Sequence, residues 1–535
     1  MNGSARCGSP SLIVITLLEI ILVLLPLGAQ SFAQLEDDQR AWHRALDSLS
    51  SERMLADVTT LSSPAFNGRQ TGSEDDLRSA GWVGDQFLAS RIELAFVPDG
   101  LNVPPGGKRG VPTGFMSMPH QAVIIAPEPT LQISTARIPS NQRLGTDFLP
   151  VLDSPSAHAR APIVFVGYGI VDATASMNDY AGIDVNNCIV LFLRGKPDHV
   201  KGTIAHADKV QIARQKGAVG YLTATGPLLS SYEIRRGVTG KPSAFYGLSP
   251  ATDNLPGAWI STERAEHIIA GTDPSNQKRL QSMQEQLNRT SESRSFLTEY
   301  FGALEWKSEQ KQGSLINVIG VLPGSDPQLT HEAIVIGAHR DHFGRQGGLL
   351  FTGADDNASG TAIMLEVART LAPLADLPQR SPAMRGMRRM PAVWPKRTIL
   401  FISFSGEEQG LVGSRLYVDR PLIPIAMTKA MINIDHAGIG NGRLTVGVTG
   451  LEKTVAVDAG QIATVEDKLD LYGFFPGGDH VPFKEAGVPT ITIVSGGVHP
   501  HFHQPTDTAD TINPEILHTV ARYVLALTWQ LANAP

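Results

Sequence analysis

Four short apolar runs, at 332–338, 398–404, 430–434 and 488–494, constrain this chain more than any other feature of its sequence. They are dense in Ile, Val and Phe, and helix-like stretches separate them. Such short, uniformly apolar runs suit strands buried on both faces, as in a parallel sheet covered by helices. Each leads into a residue able to hold a metal or a proton. These are His339, the pair Glu407-Glu408, Asp435 and, in the loop after the last run, His503. In open α/β sheets the functional crevice lies beyond the carboxyl ends of the strands, so residues distant in sequence arrive at one place. Asp355 joins them from the glycine-bounded loop 353–360, at the mouth of a helix expected over 358–372 from Ile363, Leu365, Val367 and Leu371. The expected architecture is a three-layer α/β/α sandwich with a mixed, mostly parallel sheet.

With 535 residues the chain is too long for one core, and two domains are expected. Helix-like patterns at 36–61 (Leu55, Val58, Leu61) and 75–91 (Leu77, Trp82, Val83, Phe87) flank a glycine-punctuated turn at 66–73. Residues 98–120, rich in Pro and Gly, read as a surface excursion. A segment at 150–262 carries strand-like runs at 162–167, 188–193 and 218–223 and a helix-like stretch at 204–217. It reads as an inserted β-rich domain. The division expected is a leader over 1–33, a part packing on the main sheet over 34–149, the insertion over 150–262, and the metal-bearing domain over 263–535.

The leader has Arg6 before an apolar stretch from Ser11 to Gly28, then small residues at Ser31 and Ala33. An uncleaved anchor is the alternative, because the run is just long enough to span. The acidic stretch Glu36-Asp37-Asp38 that follows favours cleavage, despite Glu19 inside the run. Cleavage predicts a periplasmic or extracellular protein with no membrane contact afterwards. Cys7 would leave with the leader, so Cys188 alone remains and neither an internal disulfide nor a multi-cysteine zinc site is possible. A net charge of −7 gives no electrostatic support to nucleic-acid binding. Residues 380–397 are basic without a single acid and hold Pro382, Pro391 and Pro395. That pattern reads as a solvated loop, with docking of an anionic partner as the lesser alternative.

The charge count favours two divalent metals. Two Zn²⁺ bring four positive charges against three negative ones on Asp355, Glu408 and Asp435, and a bridging hydroxide balances the set. Two imidazoles, His339 and His503, complete a donor set that zinc accepts at about 2.0–2.2 Å. Cobalt or manganese could occupy similar oxygen and nitrogen sites. Two metals sharing a water lower its pKa. Glu407 would take the proton as the hydroxide attacks a peptide carbonyl and return it to the leaving amine.

Six segments then occur in order: Gly337-Ala338-His339-Arg340-Asp341, Gly353-Ala354-Asp355-Asp356-Asn357, Gly406-Glu407-Glu408-Gln409-Gly410-Leu411, Asn433-Ile434-Asp435, Gly478-Asp479-His480-Val481-Pro482-Phe483 and His503-Gln504-Pro505-Thr506-Asp507-Thr508. With them, residues from about 315 to 530 resemble the zinc aminopeptidases of the M28 peptidase family. The resemblance implies that His339 and Asp435 bind one metal, Glu408 and His503 the other, and that Asp355 bridges them. Glu407 would be the general base, and Asp341 would orient His339 through its distal nitrogen. It also implies a cis peptide after the bridging residue, at Asp355–Asp356. The 150–262 segment resembles the protease-associated domain of some members, through 165–170, 178–185 and Gly217-Ala218-Val219. Such a domain shapes substrate access. Two positions depart from the family pattern. Phe502 stands where a tyrosine often stabilises the oxyanion, and His436 stands where a methionine is common.

Taken alone, any one of these histidines or acids would more often be structural. His342 and His480 are expected to pack or hydrogen-bond beside the site, and His436 to line the pocket. The crowded run His499-Pro500-His501-Phe502-His503 leaves His501 as a rival to His503. Three other functions compete: a non-catalytic binding module of this fold, a single-metal glutaminyl cyclase, and a carboxypeptidase acting on short peptides, which would need a basic pocket. The full set of ligands and base favours an aminopeptidase acting on peptide substrates.

Overall fold

Alternate residues of the apolar runs face opposite helix layers. Ile334, Ile336, Ile399, Phe401 and Ile432 share one core with Ile363, Leu371 and Val520. Their chain neighbours Val335, Leu400, Ile402 and Met431 share another with Leu416, Tyr417 and Phe483. This is the period of two that a pleated strand imposes, with both faces buried. Each fully buried large apolar side chain contributes roughly 1.5–3 kcal/mol. The computed structural model describes residues 41–97, 114–135, 139–230, 233–234, 237–248, 254–276, 278–375 and 395–534. The leader 1–33, residues 98–113 and residues 380–394 of the basic stretch lie outside the described residues.

The main sheet has nine strands: β1 (Glu93–Leu94), β2 (Phe115–Ile125), β3 (Ser308–Leu322), β4 (Ala333–His339), β5 (Thr398–Phe404), β6 (Thr428–Ile434), β7 (Leu444–Thr449), β8 (Leu469–Tyr472) and β9 (Thr490–Ser495). Their order is β1-β3-β5-β4-β6-β9-β7-β8, with β2 also paired to β3. The central strands β5, β4, β6 and β9 are mutually parallel, while β3 runs antiparallel to β5 and β7 antiparallel to β9 but parallel to β8. Four carboxyl ends therefore meet at one edge of the sheet. The sandwich is the α/β/α arrangement expected, with a mixed sheet. Part of the expected excursion at 98–120 is instead ordered strand. Phe115 to Ile125 pairs along β3, from Phe115 opposite Val318 to Ile125 opposite Ser308, which satisfies its backbone groups.

The N-terminal helices pack on one face. Helix Ser51–Leu61 starts where the Ser50 side chain accepts the Arg53 N–H, and helix Glu74–Ala89 where Ser73 accepts that of Asp76. Met54, Val58, Leu61, Ala80, Val83 and Phe87 enter the same core as helix Gly360–Ala375. A buried ion pair ties this layer to the sheet. Arg340 reaches Asp76 at 2.6 Å, and it also donates to the Ile316 carbonyl at 2.6 Å and to Ser79 Oγ at 3.1 Å. Removing either partner would leave a buried charge uncompensated.

Among the described residues, a second sheet of eight strands draws in residues on both sides of the 150–262 segment. Its order is Pro139–Asn141, Thr130–Ser134, Phe296–Trp306, Ala157–Phe165, Ile189–Leu193, Gly220–Ala224, Gly257–Ile260 and Phe148–Pro150. Strand Ala157–Phe165 would stand at an edge without Phe296–Trp306, which pairs with it antiparallel. Thr130–Ser134 then covers the far side of Phe296–Trp306. Helices Thr262–Ala270 and Arg279–Leu287 cover one face through Ile268, Leu280 and Leu287, and Val210 and Ala213 of helix His206–Gln215 cover the other.

Candidate metal centre

The four parallel strands deliver their residues to one buried cluster. His339 is the last residue of β4, Glu407 and Glu408 follow β5, Asp435 follows β6, and His503 lies in the loop beyond β9. The structure brings these five together. His339 Nε2 is 3.4 Å from Asp435 Oδ1 and 3.4 Å from Asp356 Oδ1. His503 Nε2 is 3.1 Å from Asp356 Oδ2 and 3.5 Å from Glu408 Oε2. A tetrahedral ion with bonds of about 2.1 Å holds its ligand atoms about 3.4 Å apart. Both triads match that separation. Asp356 Oδ2 and Asp435 Oδ1 are buried and have no hydrogen-bond partner, a costly state that a cation relieves. The donor set thus fits a pair of divalent metals sharing Asp356.

The bridging position falls to Asp356 in this geometry, one residue beyond the expected Asp355. Asp355 is otherwise engaged. Its Oδ1 accepts the N–H groups of Gly438 and Ile439 at 2.7 and 3.1 Å, and its Oδ2 lies 2.6 Å from His499 Nδ1. Nothing in a run of two aspartates says which of them turns inward. The register is imposed by the loop around them. Asp507 accepts the backbone N–H of both Asp355 and Asp356, at 2.9 and 3.1 Å, while Asn357 donates to the Ile434 carbonyl at 2.8 Å. The cis peptide lies at Asp356–Asn357 rather than at Asp355–Asp356.

A ring of outer contacts orients these groups. Asp341 Oδ1 lies 3.7 Å from His339 Nδ1 and accepts the Glu407 N–H at 3.3 Å, while Thr71 donates to Oδ2 at 2.9 Å. His342 Nδ1 lies 2.7 Å from Glu408 Oε1, which aims the other carboxylate oxygen at His503. His480 Nε2 meets the Phe475 carbonyl at 2.7 Å, and His501 Nδ1 meets Thr506 Oγ1 at 2.9 Å on the surface.

The second sheet's domain reaches into the centre. His503 Nδ1 hydrogen-bonds the Ala244 carbonyl at 2.8 Å, which fixes Nε2 as the nitrogen facing the acids. Ala244 N–H returns a bond to the His503 carbonyl at 3.0 Å, and Gln504 Nε2 donates to the Pro242 carbonyl and Ser243 Oγ. Gly237, at φ +69°, sits against the same loop. A Cβ there would meet the His499 carbonyl oxygen at 2.3 Å. Sequence patterning offered no signal for this clasp, because its key acceptor is a backbone carbonyl.

The acids beside the cluster are perturbed. Burial lifts the Glu407 carboxyl to about 8, with His339 opposing and Asp435 and Asp479 adding to the rise. Burial depresses His436, but Asp356, Asp435 and Asp355 outweigh it and raise the imidazole to about 10. Glu407, His339 and Asp435 converge within 4.8 Å, so Glu407 sits beside the first triad. A cavity opens over these groups, walled by Glu407, Asp435, His436, Phe475, Phe502 and His503. No lysine or arginine lines it among the described residues. A larger cavity of about 820 Å³ lies along the start of helix Glu74–Ala89 and β3, away from both triads.

The sequence profile described as Peptidase family M28 matches residues 317–528, the span that contains every residue of both triads. These residues belong to peptidase family M28. The chain is 29% identical over 190 residues to aminopeptidase YwaD of Bacillus subtilis, covering 33% of this chain and 37% of that protein. A probable glutamate carboxypeptidase, AMP1 of Arabidopsis thaliana, is 24% identical over 404 residues, 67% of this chain and 51% of that one. The chain therefore spans about half or less of the length of these two curated relatives. Among solved structures, the fold is similar to that of BSAP, a zinc aminopeptidase from Bacillus subtilis. The TM-score is 0.54 at 19% identity, with 90% of this chain and 95% of that one covered.

Proposed function

We propose that the protein is an exported metallo-aminopeptidase that hydrolyses the N-terminal peptide bond of peptides. The observation that carries this reading is the pair of ligand triads meeting at Asp356 with Glu407 alongside. His339, Asp435 and Asp356 would hold one divalent metal, and His503, Glu408 and Asp356 the other. Zinc is favoured because the donors are imidazole and carboxylate and because a structural neighbour is a zinc aminopeptidase. When bound, such metals polarise the scissile carbonyl and acidify a water. Glu407 then removes the water proton at its carboxylate and delivers it to the departing amine nitrogen, so the base is regenerated each cycle. Asp341 keeps His339 and the Glu407 backbone in register, and the Ala244 carbonyl does the same for His503.

The acid-lined cavity favours an amino- over a carboxypeptidase. A substrate α-ammonium finds carboxylates there, whereas a substrate carboxylate finds no lysine or arginine among the described lining residues. The second domain is read as protease-associated in type, supporting the metal-ligand loop as well as access. Residues 1–33 are read as a leader removed on export. Hydrolysis of free-amine and N-blocked chromogenic peptides, with and without chelator and beside Glu407→Gln, tests the proposal. Chelator-sensitive release from free-amine substrates alone, lost in the variant, is expected. Cleavage confined to blocked peptides with a free carboxylate overturns it in favour of a carboxypeptidase.

A further inference from the structure

Attack on a peptide carbonyl forms a bond from water oxygen to the carbonyl carbon and moves the π pair onto the carbonyl oxygen. That developing oxyanion needs a positioned donor in a site screened from water. Most groups walling the cavity cannot supply one. Asp356, Glu407, Glu408 and Asp435 are acceptors when ionised. His503 commits Nδ1 to the Ala244 carbonyl and points Nε2 at Asp356 and Glu408. His499 commits Nδ1 to Asp355 and Nε2 to the Ser495 carbonyl, at 2.6 and 3.0 Å. The Phe502 side chain carries no polar atom.

His436 differs from these. Its Nδ1 is 3.6 Å from Asp355 Oδ2 and its Nε2 is 3.6 Å from Asp356 Oδ2, both longer than a hydrogen bond. The ring is nevertheless held in place. It lies 5.2 Å from the Phe502 ring and 5.3 Å from that of His499, centroid to centroid. Its backbone, at φ +44°, is fixed on both sides. Ser495 N–H donates to the His436 carbonyl at 3.0 Å, and the next residue's N–H donates to Ser359 Oγ at 3.0 Å. A positive φ at a non-glycine residue redirects the side chain relative to an ordinary extended exit from β6.

We propose that His436 donates, from Nε2, the hydrogen bond that steadies the oxyanion over Phe502. The role rests on the peptidase reading above and deepens it. No proton leaves His436. The water proton goes to Glu407, the C–N bond breaks as the oxyanion collapses, and Glu407 protonates the leaving nitrogen.

Full-length His436→Leu and His436→Gln enzymes test this against a leucyl chromogenic substrate, a phosphinic dipeptide that imitates the tetrahedral state, and free leucine. Leu is expected to lower kcat by about 10²–10³ with KM changed less than about threefold. The phosphinic compound should lose a similar factor in affinity while free leucine and bound metal stay unchanged. Gln, which keeps an N–H donor, should recover at least about tenfold over Leu. Loss of metal in both variants would make His436 a ligand and overturn the role, as would an unchanged kcat or equal weakening of all three compounds. Failure of the peptidase reading itself is separate: the wild type would then neither cleave the substrate nor bind the phosphinic compound.

Discussion

Asp356 presents one carboxylate oxygen to each of two histidines, Oδ1 at 3.4 Å from His339 Nε2 and Oδ2 at 3.1 Å from His503 Nε2. Its neighbour Asp355 faces the opposite way, into two backbone N–H groups and His499. The two aspartates should therefore respond differently to the same isosteric change. Asp356→Asn is expected to lower bound metal from about two per chain to one or none and to abolish turnover. Asp355→Asn should keep the metals but cost about 1–3 kcal/mol of stability, because it weakens a buried acceptor. Metal analysis by plasma emission and denaturant unfolding separate the two. Equal metal loss in both would place the bridge at neither residue in particular.

Glu407→Gln should leave metal content intact and lower kcat by about 10²–10⁴ at unchanged KM, since only the proton carrier is lost. A variant that also sheds metal would mark Glu407 as a ligand instead.

Removing the metals should destabilise the fold as well as silence it. Asp356, Glu408 and Asp435 converge with no lysine or arginine among the described cavity-lining residues, so only the neighbouring histidines then offset their repulsion. At a hundredfold excess over its dissociation constant each bound ion adds about 2.7 kcal/mol. Differential scanning fluorimetry with chelator, then with added Zn²⁺, should show a fall and a recovery in Tm. A Tm indifferent to chelator would contradict a high-affinity centre.

Gln504→Leu cuts the two bonds that Gln504 makes to Pro242 and Ser243 in the clasp around His503. Losing such outer support typically costs about 10–100-fold in metal affinity. The loss should fall on one ion only, because His339 takes its support from Asp341 and not from this loop. Competitive chelator titration should resolve one weakened and one unchanged site.

Lys209 offers a pH test away from the centre. Its ammonium is buried, donates to the Leu193 and Gly195 carbonyls, and is pushed down to about 7 by burial and by Arg194, against Asp179 and Glu233. Between about pH 7 and 10 the unfolded chain then holds a proton on this residue that the folded chain lacks. Stability from this residue should rise with pH across that window and stay level below it, where both states hold the proton. Comparing unfolding of wild type and Lys209→Met at pH 6.5 and 9 isolates it: the variant should show the smaller gain. An identical gain would mean that Lys209 keeps its ordinary affinity for protons.

Much of the M28 half was readable from residues. The runs at 332–338, 398–404, 430–434 and 488–494 became β4, β5, β6 and β9 within a residue or two, because burial on both faces leaves an unbroken apolar run that a mixed environment would not. His339, Glu408 and Asp435 converge because each lies at or just beyond a strand end whose place the sheet dictates, while His503 arrives on the loop beyond β9. The choice between Asp355 and Asp356 was not readable, since it depends on how Asp507, some 150 residues downstream, grips the loop. The strand at Phe115–Ile125 was obscured by its proline and by the glycine-rich stretch before it. The extent of the second sheet was obscured because Phe296–Trp306 gains its partner only across more than a hundred residues.

The bond between His503 and the Ala244 carbonyl joins positions 259 residues apart. Half of the proposed metal centre would thus be an assembly product: a chain in which Ala244 has not yet reached His503 lacks the group that selects the His503 tautomer. Hydrolytic power would then arrive last in biogenesis, after both halves have docked. A protease built this way is inert while it is still threading, unfolded, through the machinery that made it.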